Sequence, residues 1–406
     1  MRIVLVDVHC KRGSTGKIVY DLYSNLTQAG HDAAICYGRG PAVSGANIVK
    51  FASDIETYMH AFLTRATGFT GVFSPLSTRR LLEFMEAFNP DIVHIHELHA
   101  YFVNIAPVIN YLKRKRIRTV WTFHCEFMYT GKCGYSYGCE RWKSRCHHCP
   151  QLREYPKSLF FDFTGRQFME KKRLFDDFDN LRIVTPSKWL ADRVKQSFLG
   201  RHSVKVIQNG IDTENVFLPR PYEHLRKKHG LGDGKIVLAV APGLMQERKG
   251  GKWVIELASR FSDKNVKFIL IGVDGSTGDH GSNVIALGRT SNQVELAEYY
   301  SMADAFVICS NMENFPTTCI EALSCGTPVV GFDSGGTRET APPGYGLFAP
   351  YGNLDELESA VLSVLSGQAP IKCRKDIRRF AQEEYSRERM FHDYLDLYES
   401  SRSTCK

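Results

Sequence analysis

Apolar stretches that predict strands alternate with helical stretches along almost the whole chain. The first strand, RIVLVDV (2–8), leads through a glycine turn into a predicted helix. Its apolar residues Ile18, Leu22 and Leu26 recur every four positions, and Gly30 is the expected stop. This alternation is typical of parallel sheets covered by crossover helices.

Further strands are predicted at AAICYG, DIVHIH, RTVWTFH and LRIVTPS, and Ser187 is expected to cap the next helix. A polar, proline-bearing stretch then precedes a second α/β series that begins at KIVLAVAP. The sequence therefore predicts an α/β fold of two doubly wound, Rossmann-like domains that face each other across a cleft. Their predicted limits are 1–210, with a cysteine-rich insert at 131–152, then 211–385, then a C-terminal helix at 386–406 that returns to the first domain.

Composition fits an ordinary soluble globular protein, since 43% of the 406 residues are hydrophobic and 24% are charged. No secretory signal pattern opens the sequence, and no apolar run reaches the ~18 residues of a membrane span. A cytoplasmic location is expected. The net charge of +8 includes basic runs such as KRKRIR (113–118), which suit anionic lipid, nucleic acid or simply solvated helix ends. Because no nucleic-acid recognition signature accompanies them, nucleic acid is not an expected partner.

The stretch MENFPTTCIEALSCGTPVV (312–330) places two carboxylates, Glu313 and Glu321, around the start of a helix. Pro316 suits the first helical position, and Glu321 is expected to be buried because its helix is apolar on nearly all sides. A helix start favours anions. The arrangement fits a ligand with hydroxyl groups at both ends and phosphates between them, such as a nucleotide sugar. The alternative is a structural carboxylate satisfied by nearby donors.

Two other segments offer groups for an anion. QERKGG supplies Arg248 and Lys249 after the first strand of the second domain, and KRGSTGK supplies Gly13 and Gly16, where backbone N–H groups can approach a phosphate. An exposed basic loop and an ordinary glycine turn are the alternatives. The predicted donor-binding residues are Gly13, Gly16, Arg248, Lys249, Asn314, Phe315, Pro316, Thr317 and Glu321.

These motifs occur together in a known family. ENFPTTCIE followed by ALSCGTPVV, the RKG loop, NGID (209–212), PSKWL (186–190) and DIVHIHELHA (91–100) resemble the family 4 retaining glycosyltransferases of GT-B architecture. The resemblance covers nearly the whole chain. It is strongest to the bacterial exopolysaccharide and O-antigen enzymes, including the colanic-acid type, which carry a similar cysteine-rich insert.

The resemblance implies transfer of a sugar, with retention, from a nucleotide-sugar donor to a glycan or polyprenyl-linked acceptor, without a cofactor or metal for catalysis. Glu313 is implied to contact the donor sugar, Glu321 the ribose and Lys249 the diphosphate. His124 is implied to lie beside the reacting sugar, so that His124 and Glu313 are the predicted catalytic residues.

Two positions depart from the family pattern. The family commonly has an arginine where this chain has Gly243, and Arg248 is expected to replace its charge. Many relatives also have an aspartate directly after the strand-end histidine, where this chain has Cys125. Glu126 follows, but on a continuing strand its side chain would point to the other face.

Three histidines, His94, His96 and His99, recur near one strand end. A metal site is one interpretation, but no carboxylate stands at suitable spacing. We predict acceptor binding for His96 and His99 and core packing for His94.

The insert GKCGYSYGCERWKSRCHHCPQL contains four clustered cysteines. In a cytosolic chain such a cluster favours a structural zinc, although the first spacing is looser than usual. Redox-sensitive thiols or a disulfide pair are the alternatives, and His147 or His148 is a substitute ligand. The predicted metal ligands are Cys133, Cys139, Cys146 and Cys149.

Other functions remain open at this stage. A glycosyl phosphorylase or sugar-nucleotide epimerase would need a pyridoxal lysine or paired acid/base carboxylates, which the sequence does not offer. A zinc-braced binding protein would bind a nucleotide without turnover. The segment at 58–88 has amphipathic character, so it is either a peripheral contact with the anionic inner membrane or a packed helical insert.

Overall fold

A computed structural model describes residues 1–273 and 281–400. The chain divides into two compact units. Unit 1 comprises Met1–Gln208 and the chain from Phe391 onward, and unit 2 comprises Asn209–Met390. None of the helices in the described ranges combines the length and the apolar character that crossing a bilayer requires.

Unit 1 is built on a seven-stranded parallel sheet with the order β3-β2-β1-β4-β5-β6-β7. The order reverses beside β1, which is the switch point at which doubly wound sheets bind ligands. The strands are β1 Arg2–Asp7, β2 Asp32–Tyr37, β3 Ile48–Lys50, β4 Ile92–Ile95, β5 Arg118–Thr122, β6 Leu181–Thr185 and β7 Ser203–Val206.

Helices cover the sheet of unit 1 and bury apolar faces against it. In α1, Ile18, Leu22 and Leu26 are all buried, as their spacing predicts, and Gly30 follows the helix with a left-handed φ of 81°. The helices are α1 Gly13–Gln28, α2 Asp54–Thr67, α3 Pro75–Phe88, α4 Ile105–Lys115, α5 Thr164–Asp176 and α6 Lys188–Gln196. A further helix, α13 Arg387–Ser400, belongs to unit 1 from Phe391 onward.

Unit 2 repeats the design with a six-stranded parallel sheet in the order β10-β9-β8-β11-β12-β13. Its strands are β8 Lys235–Val240, β9 Val266–Ile271, β10 Val284–Leu287, β11 Ala305–Ile308, β12 Val329–Asp333 and β13 Gly346–Pro350. Its helices are α7 Glu223–His229, α8 Gly251–Ser259, α9 Gln293–Met302, α10 Thr317–Ser324, α11 Leu354–Leu365 and α12 Arg374–Tyr385.

The predicted fold class is confirmed, because each unit is a doubly wound parallel sheet. The predicted cap of α6 is also present, since the Ser187 side chain accepts a hydrogen bond from the Leu190 N–H at 3.1 Å. Two short strands, β3 and β13, were not predicted. The residues at 401–406, within the predicted C-terminal segment, lie outside the described residues, and the predicted domain limits stay a prediction.

Candidate active site

In unit 2, three predicted site residues meet at one carboxylate. The Lys249 ammonium lies 2.7 Å from Oε1 of Glu313, and the Arg248 guanidinium lies 3.0 Å from the same oxygen. Glu313 follows β11, while Arg248 and Lys249 follow β8, and these strands are neighbours in the sheet. The parallel register therefore brings the two loops together at the carboxyl edge.

The charges of this cluster do not cancel, since two cations surround one carboxylate. Burial alone raises the pKa of Glu313, but Lys249 and Arg248 outweigh it and hold that pKa below its ordinary value. Glu313 is therefore ionised at neutral pH, and the cluster carries a net positive charge that suits an anion.

The loop that carries Lys249 depends on Gly250. This residue has a left-handed φ of 72°, and a Cβ built there would lie 2.0 Å from the backbone oxygen of Cys309. Gly243, where the family has an arginine, also has a left-handed φ, of 61°. Because Arg248 already pairs with Glu313, its guanidinium supplies a cation at the cluster despite Gly243.

The second carboxylate of the motif, Glu321, lies in α10 and accepts a hydrogen bond from the Tyr300 hydroxyl at 3.0 Å. Tyr300 is fully buried, and burial together with Glu321 raises its pKa well above the usual range. The expectation that Glu321 is buried was wrong. The side chain of Glu321 is half-buried, because the hydrophobic core of unit 2 does not cover the face of α10 on which it lies.

The segment between the two carboxylates forms the start of α10. Asn314, Phe315 and Pro316 are buried, and Thr317 is half-buried. The Phe315 carbonyl accepts a hydrogen bond from the Asn209 amide at 3.2 Å. Pro316 is the residue before the first helical position, not the first helical residue as predicted, since its ψ of 120° is extended. It supplies no side-chain cap, so the first N–H groups of α10 keep the capacity to bind an anion.

Gly13 and Gly16 belong to unit 1, at the start of α1. Gly13 has a left-handed φ of 68° and open space around it. At Gly16 a side chain would be crowded, because a Cβ there would lie 2.9 Å from the backbone oxygen of His9. Gly16 therefore lets the loop after β1 pack closely on α1.

The strand-end histidines of unit 1 form two separate arrangements. His94 is fully buried, as predicted, and its ring nitrogens lie 2.6 Å from the Tyr398 hydroxyl and 2.8 Å from the Thr122 hydroxyl. His96 is buried beside it, and its Nδ1 lies 3.0 Å from Nε2 of His124. The structure thus brings His96 and His124 together.

Burial keeps these histidines neutral. It lowers the pKa of His94 to about 3 and that of His124 to about 4, and it lowers the pKa of His96 well below the usual range. Neutral rings both donate and accept hydrogen bonds. His124, which is half-buried, can therefore contact hydroxyl groups without carrying a charge.

Sequence reasoning missed two acidic residues next to these histidines. Asp7 ends β1 and is fully buried, and its Oδ1 accepts the backbone N–H of Glu97 at 3.3 Å. Burial and the neighbouring Glu97 raise the pKa of Asp7 to about 8. Although burial raises the pKa of Glu97 as well, His99 and other nearby histidines lower it to about 2. The position of Asp7 at a strand end was the signal that could have identified it.

His99 does not join His96. Its Nδ1 lies 3.1 Å from the Tyr155 hydroxyl, and its Nε2 lies 3.3 Å from Oε1 of Glu97. Cys125 lies close enough to these two side chains that they form a group with metal-ligating potential. The prediction that no carboxylate stands at suitable spacing to these histidines was therefore wrong, because Glu97 lies beside His99.

Glu126, the residue after Cys125, turns into the cysteine-rich insert. Its buried carboxylate pairs with Arg193 at 2.6 Å and accepts the backbone N–H of Ser136 at 2.6 Å and the Tyr129 hydroxyl at 2.8 Å. This network ties the insert to α6 and leaves Glu126 engaged away from the His124 ring.

The four cysteines of the insert lie near one another but are not tightly assembled. Cys133 hydrogen-bonds with Cys149, and the Gly131 N–H lies 3.2 Å from the Cys146 sulfur. Within the described ranges, these four thiols form no group of three whose sulfur atoms all lie within 4.8 Å of one another, and none is in a disulfide. A metal site at these cysteines therefore stays a prediction, with Cys133, Cys139, Cys146 and Cys149 as its ligands.

Two family models match the chain, one on each half. The model described as Glycosyltransferase Family 4 matches residues 15–215, and the model described as Glycosyl transferases group 1 matches residues 221–384.

Relatives and solved structures of similar length agree with these matches. The chain is 24% identical over 422 aligned positions to the putative colanic acid biosynthesis glycosyl transferase WcaC of Escherichia coli K12, covering 98% of this chain and 100% of the relative. The sucrose-phosphate synthase of Thermosynechococcus elongatus superimposes with a TM-score of 0.71 at 18% identity, covering 99% of each chain. HepE of Anabaena in complex with UDP-glucose superimposes with a TM-score of 0.66 at 14% identity, covering 98% of this chain and 100% of HepE.

Proposed function

Since this chain belongs to the glycosyltransferases of GT-B architecture, we propose that it moves a sugar, with retention, from a nucleotide-sugar donor to a glycan or polyprenyl-linked acceptor in bacterial surface polysaccharide biosynthesis. The full-length similarity to a colanic acid biosynthesis enzyme supports the polysaccharide context. The UDP-glucose complex of HepE supports a nucleotide sugar as donor.

The observation that carries the proposal is the cluster of Arg248, Lys249 and Glu313 in unit 2. A nucleoside diphosphate has charges that two cations can bind, and binding would draw Lys249 and Arg248 away from the Glu313 oxygen that they share. Glu313 is then available to accept hydrogen bonds from the hydroxyl groups of the sugar.

We assign the rest of the donor to the neighbouring segment. The first N–H groups of α10, at Thr317 and after it, bind phosphate oxygens, and the buried residues Asn314, Phe315 and Pro316 fix the loop that leads into the helix. Glu321 binds the ribose diol, with Tyr300 holding one oxygen of its carboxylate in place.

Unit 1 receives the acceptor in this proposal. His99 binds acceptor hydroxyl groups, whereas His96, which is buried, orients the His124 ring through their 3.0 Å contact instead of binding the acceptor directly as predicted. His124 contacts the transferred sugar, and Gly13 and Gly16 keep the loop after β1 open to a phosphate. His124 acts as a neutral hydrogen-bonding group, because its pKa of about 4 leaves it uncharged at neutral pH.

The chemistry that follows needs no cofactor. The leaving diphosphate takes the proton of the acceptor hydroxyl as the new glycosidic bond forms on the same face of the sugar. The chain itself contributes positioning and stabilisation of the negative charge that develops on the leaving group. Arg248 and Lys249 are the charged groups suited to that second task.

We also propose that the protein contacts an anionic membrane surface through α2. Ile55, Tyr58, Met59 and Phe62 form a stripe on this helix, and they are 78%, 72%, 51% and 63% exposed. Such a stripe is costly in water and is typical of helices that lie in a membrane interface. Exposed arginines of α2 and α3 lie along the same segment and suit anionic lipid. They are Arg65, Arg79 and Arg80.

A structural zinc at the four cysteines of the insert remains part of the proposal. Lys132 and Lys171 are buried near them, and the cysteines act to raise the pKa of both lysines against the effect of burial. A zinc ion with four thiolates carries two negative charges, which two lysines would balance.

The test of the proposed function is a screen of nucleotide sugars. Each candidate is added to the purified protein, and its effect on the melting temperature and the release of nucleoside diphosphate are measured. One donor is expected to stabilise the protein by several degrees and to be consumed in the presence of an acceptor extract. Nucleotide binding without any release, for every donor and acceptor tried, would instead support a binding protein without catalysis.

A further inference from the structure

Three side chains of different chemistry converge at the carboxyl edge of the sheet in unit 1. Glu97 and His99 follow β4, and Cys125 follows β5, its neighbour in the sheet. The carboxylate oxygen of Glu97, a ring nitrogen of His99 and the Cys125 sulfur all lie within 4.8 Å of one another. Within the described ranges, no other set of three or more such side chains meets this distance.

The ring of His99 is arranged as a metal-binding histidine is. Its Nε2 is buried and lies 3.3 Å from Oε1 of Glu97, and the Cys125 sulfur is a second polar neighbour of the ring. Its Nδ1 lies 3.1 Å from the Tyr155 hydroxyl. Histidines that bind metals commonly donate their second ring N–H to a neighbouring group, which fixes the ring and its tautomer.

We propose that Glu97, His99 and Cys125 form a Zn²⁺ site in unit 1. A carboxylate, an imidazole and a thiolate are the three ligand types that zinc takes in proteins, whereas Mg²⁺ and Ca²⁺ take oxygen ligands. One carboxylate and one thiolate balance the two charges of Zn²⁺, which favours the ion in a mostly buried position.

Three protein ligands leave a fourth position of a tetrahedral site open. Because no fourth ligand-type side chain of the described residues joins this group, the fourth position is filled by water or by a hydroxyl group of a ligand. In this site Nδ1 of His99 carries the ring proton and donates it to the Tyr155 hydroxyl. The site goes beyond the proposed transfer reaction. It uses both ring nitrogens of His99, so in the metal-bound protein His99 reaches an acceptor hydroxyl group only through the open position of the ion. The site shares no residue with the four cysteines of the insert.

The experiment measures metal binding and not transfer. The full-length protein is stripped with a chelator and titrated with Zn²⁺, and with Co²⁺ as a spectroscopic probe of thiolate ligation. The Cys125→Ser variant is expected to lose one equivalent of metal and the corresponding sulfur-to-cobalt charge-transfer absorption. Cys10→Ser is the matched control, because Cys10 is buried in the same unit but outside the group.

Three further variants distinguish the loss of this site from the loss of a site in the insert and from a folding defect. His99→Gln is expected to lose the same equivalent, and Tyr155→Phe to weaken Zn²⁺ binding by about 10-fold or more. A Cys133→Ser/Cys149→Ser double variant is expected to keep it. If Cys125→Ser does not fold, the loss of one equivalent of metal is measured in His99→Gln instead. An unchanged metal content and cobalt spectrum in folded Cys125→Ser or His99→Gln would overturn the proposal, as would a loss of metal confined to the double variant.

Discussion

The Lys249 ammonium lies 2.7 Å from Oε1 of Glu313, and it shares that oxygen with the Arg248 guanidinium. Two cations on one carboxylate oxygen leave an excess of positive charge among these three partly buried side chains. An anionic ligand relieves this excess, and it also releases Glu313. The pairing therefore connects phosphate binding to sugar recognition.

This connection predicts opposite effects for Glu313→Gln on two measurements. The amide keeps the shape of the side chain but removes the negative charge, so the two cations lose their competitor. Binding of the free nucleoside diphosphate is expected to be unchanged or tighter, while sugar transfer falls about 10²-fold because a charged hydrogen-bond acceptor is lost. Titration calorimetry and steady-state kinetics measure the two quantities. A parallel loss of both in a folded variant would mean that Glu313 acts on the phosphates.

Gly250→Ala is expected to disturb the loop that holds Lys249. The new Cβ would meet the Cys309 carbonyl oxygen at 2.0 Å, in a left-handed conformation that alanine disfavours. We expect a loss of about 3 kcal/mol in unfolding free energy, measured by chemical denaturation. Gly230→Ala is the control, because Gly230 has a similar φ of 60° but no atom within 4 Å of the added Cβ. Its expected cost is about 1 kcal/mol, and equal losses in both variants would contradict the clash.

Buried neutral histidines predict that stability falls as the pH falls. The pKa of His94 is lowered to about 3, so below pH ~6.5 the unfolded chain takes up a proton there that the folded chain does not. Each such histidine lowers the unfolding free energy by about 1.4 kcal/mol for every pH unit between its unfolded and its folded pKa. Denaturation at several pH values gives the slope of the unfolding free energy against pH. Between pH 6 and pH 5, His94→Gln is expected to reduce this slope by the amount that corresponds to one proton. An unchanged slope would mean that His94 is protonated in the folded protein.

The exposed stripe on α2 predicts binding to anionic vesicles. Phe62→Ser is expected to weaken binding to vesicles that contain phosphatidylglycerol by about 30-fold in a sedimentation assay, because burial of one phenylalanine contributes about 2 kcal/mol. Val294→Ser is the control, since Val294 is an exposed apolar residue of unit 2. Equal binding of the Phe62 variant and the wild type would exclude this stripe as the contact surface.

Local patterns predicted the fold well, because most strands are apolar runs followed by helices with a clear apolar face. The strands β3 and β13 were missed for a physical reason. Ile48–Lys50 is a three-residue edge strand, and Gly346–Pro350 begins and ends with residues that are rare in strands. Both form because a neighbouring strand offers hydrogen bonds, which the sequence does not reveal.

The site was predictable only where its residues stand close together in the chain. Glu313 and Glu321 share one motif, and the charged loop at Lys249 was evident from its composition. The grouping of Asp7, Glu97 and Cys125 was not, because it depends on which strands are neighbours in the sheet. The half-exposure of Glu321 likewise depends on which face of α10 the rest of unit 2 covers.

The most direct test of the account compares two lysine variants in the same assay. Lys249→Ala and Lys252→Ala each remove one lysine, but only Lys249 pairs with Glu313, whereas Lys252 is exposed on α8. With the nucleotide sugar that supports turnover, Lys249→Ala is expected to lower kcat/KM about 10²- to 10³-fold, and Lys252→Ala to leave it unchanged. A folded Lys249→Ala protein with the turnover of the wild type would contradict the phosphate role of the cluster, and with it the proposed mode of donor binding.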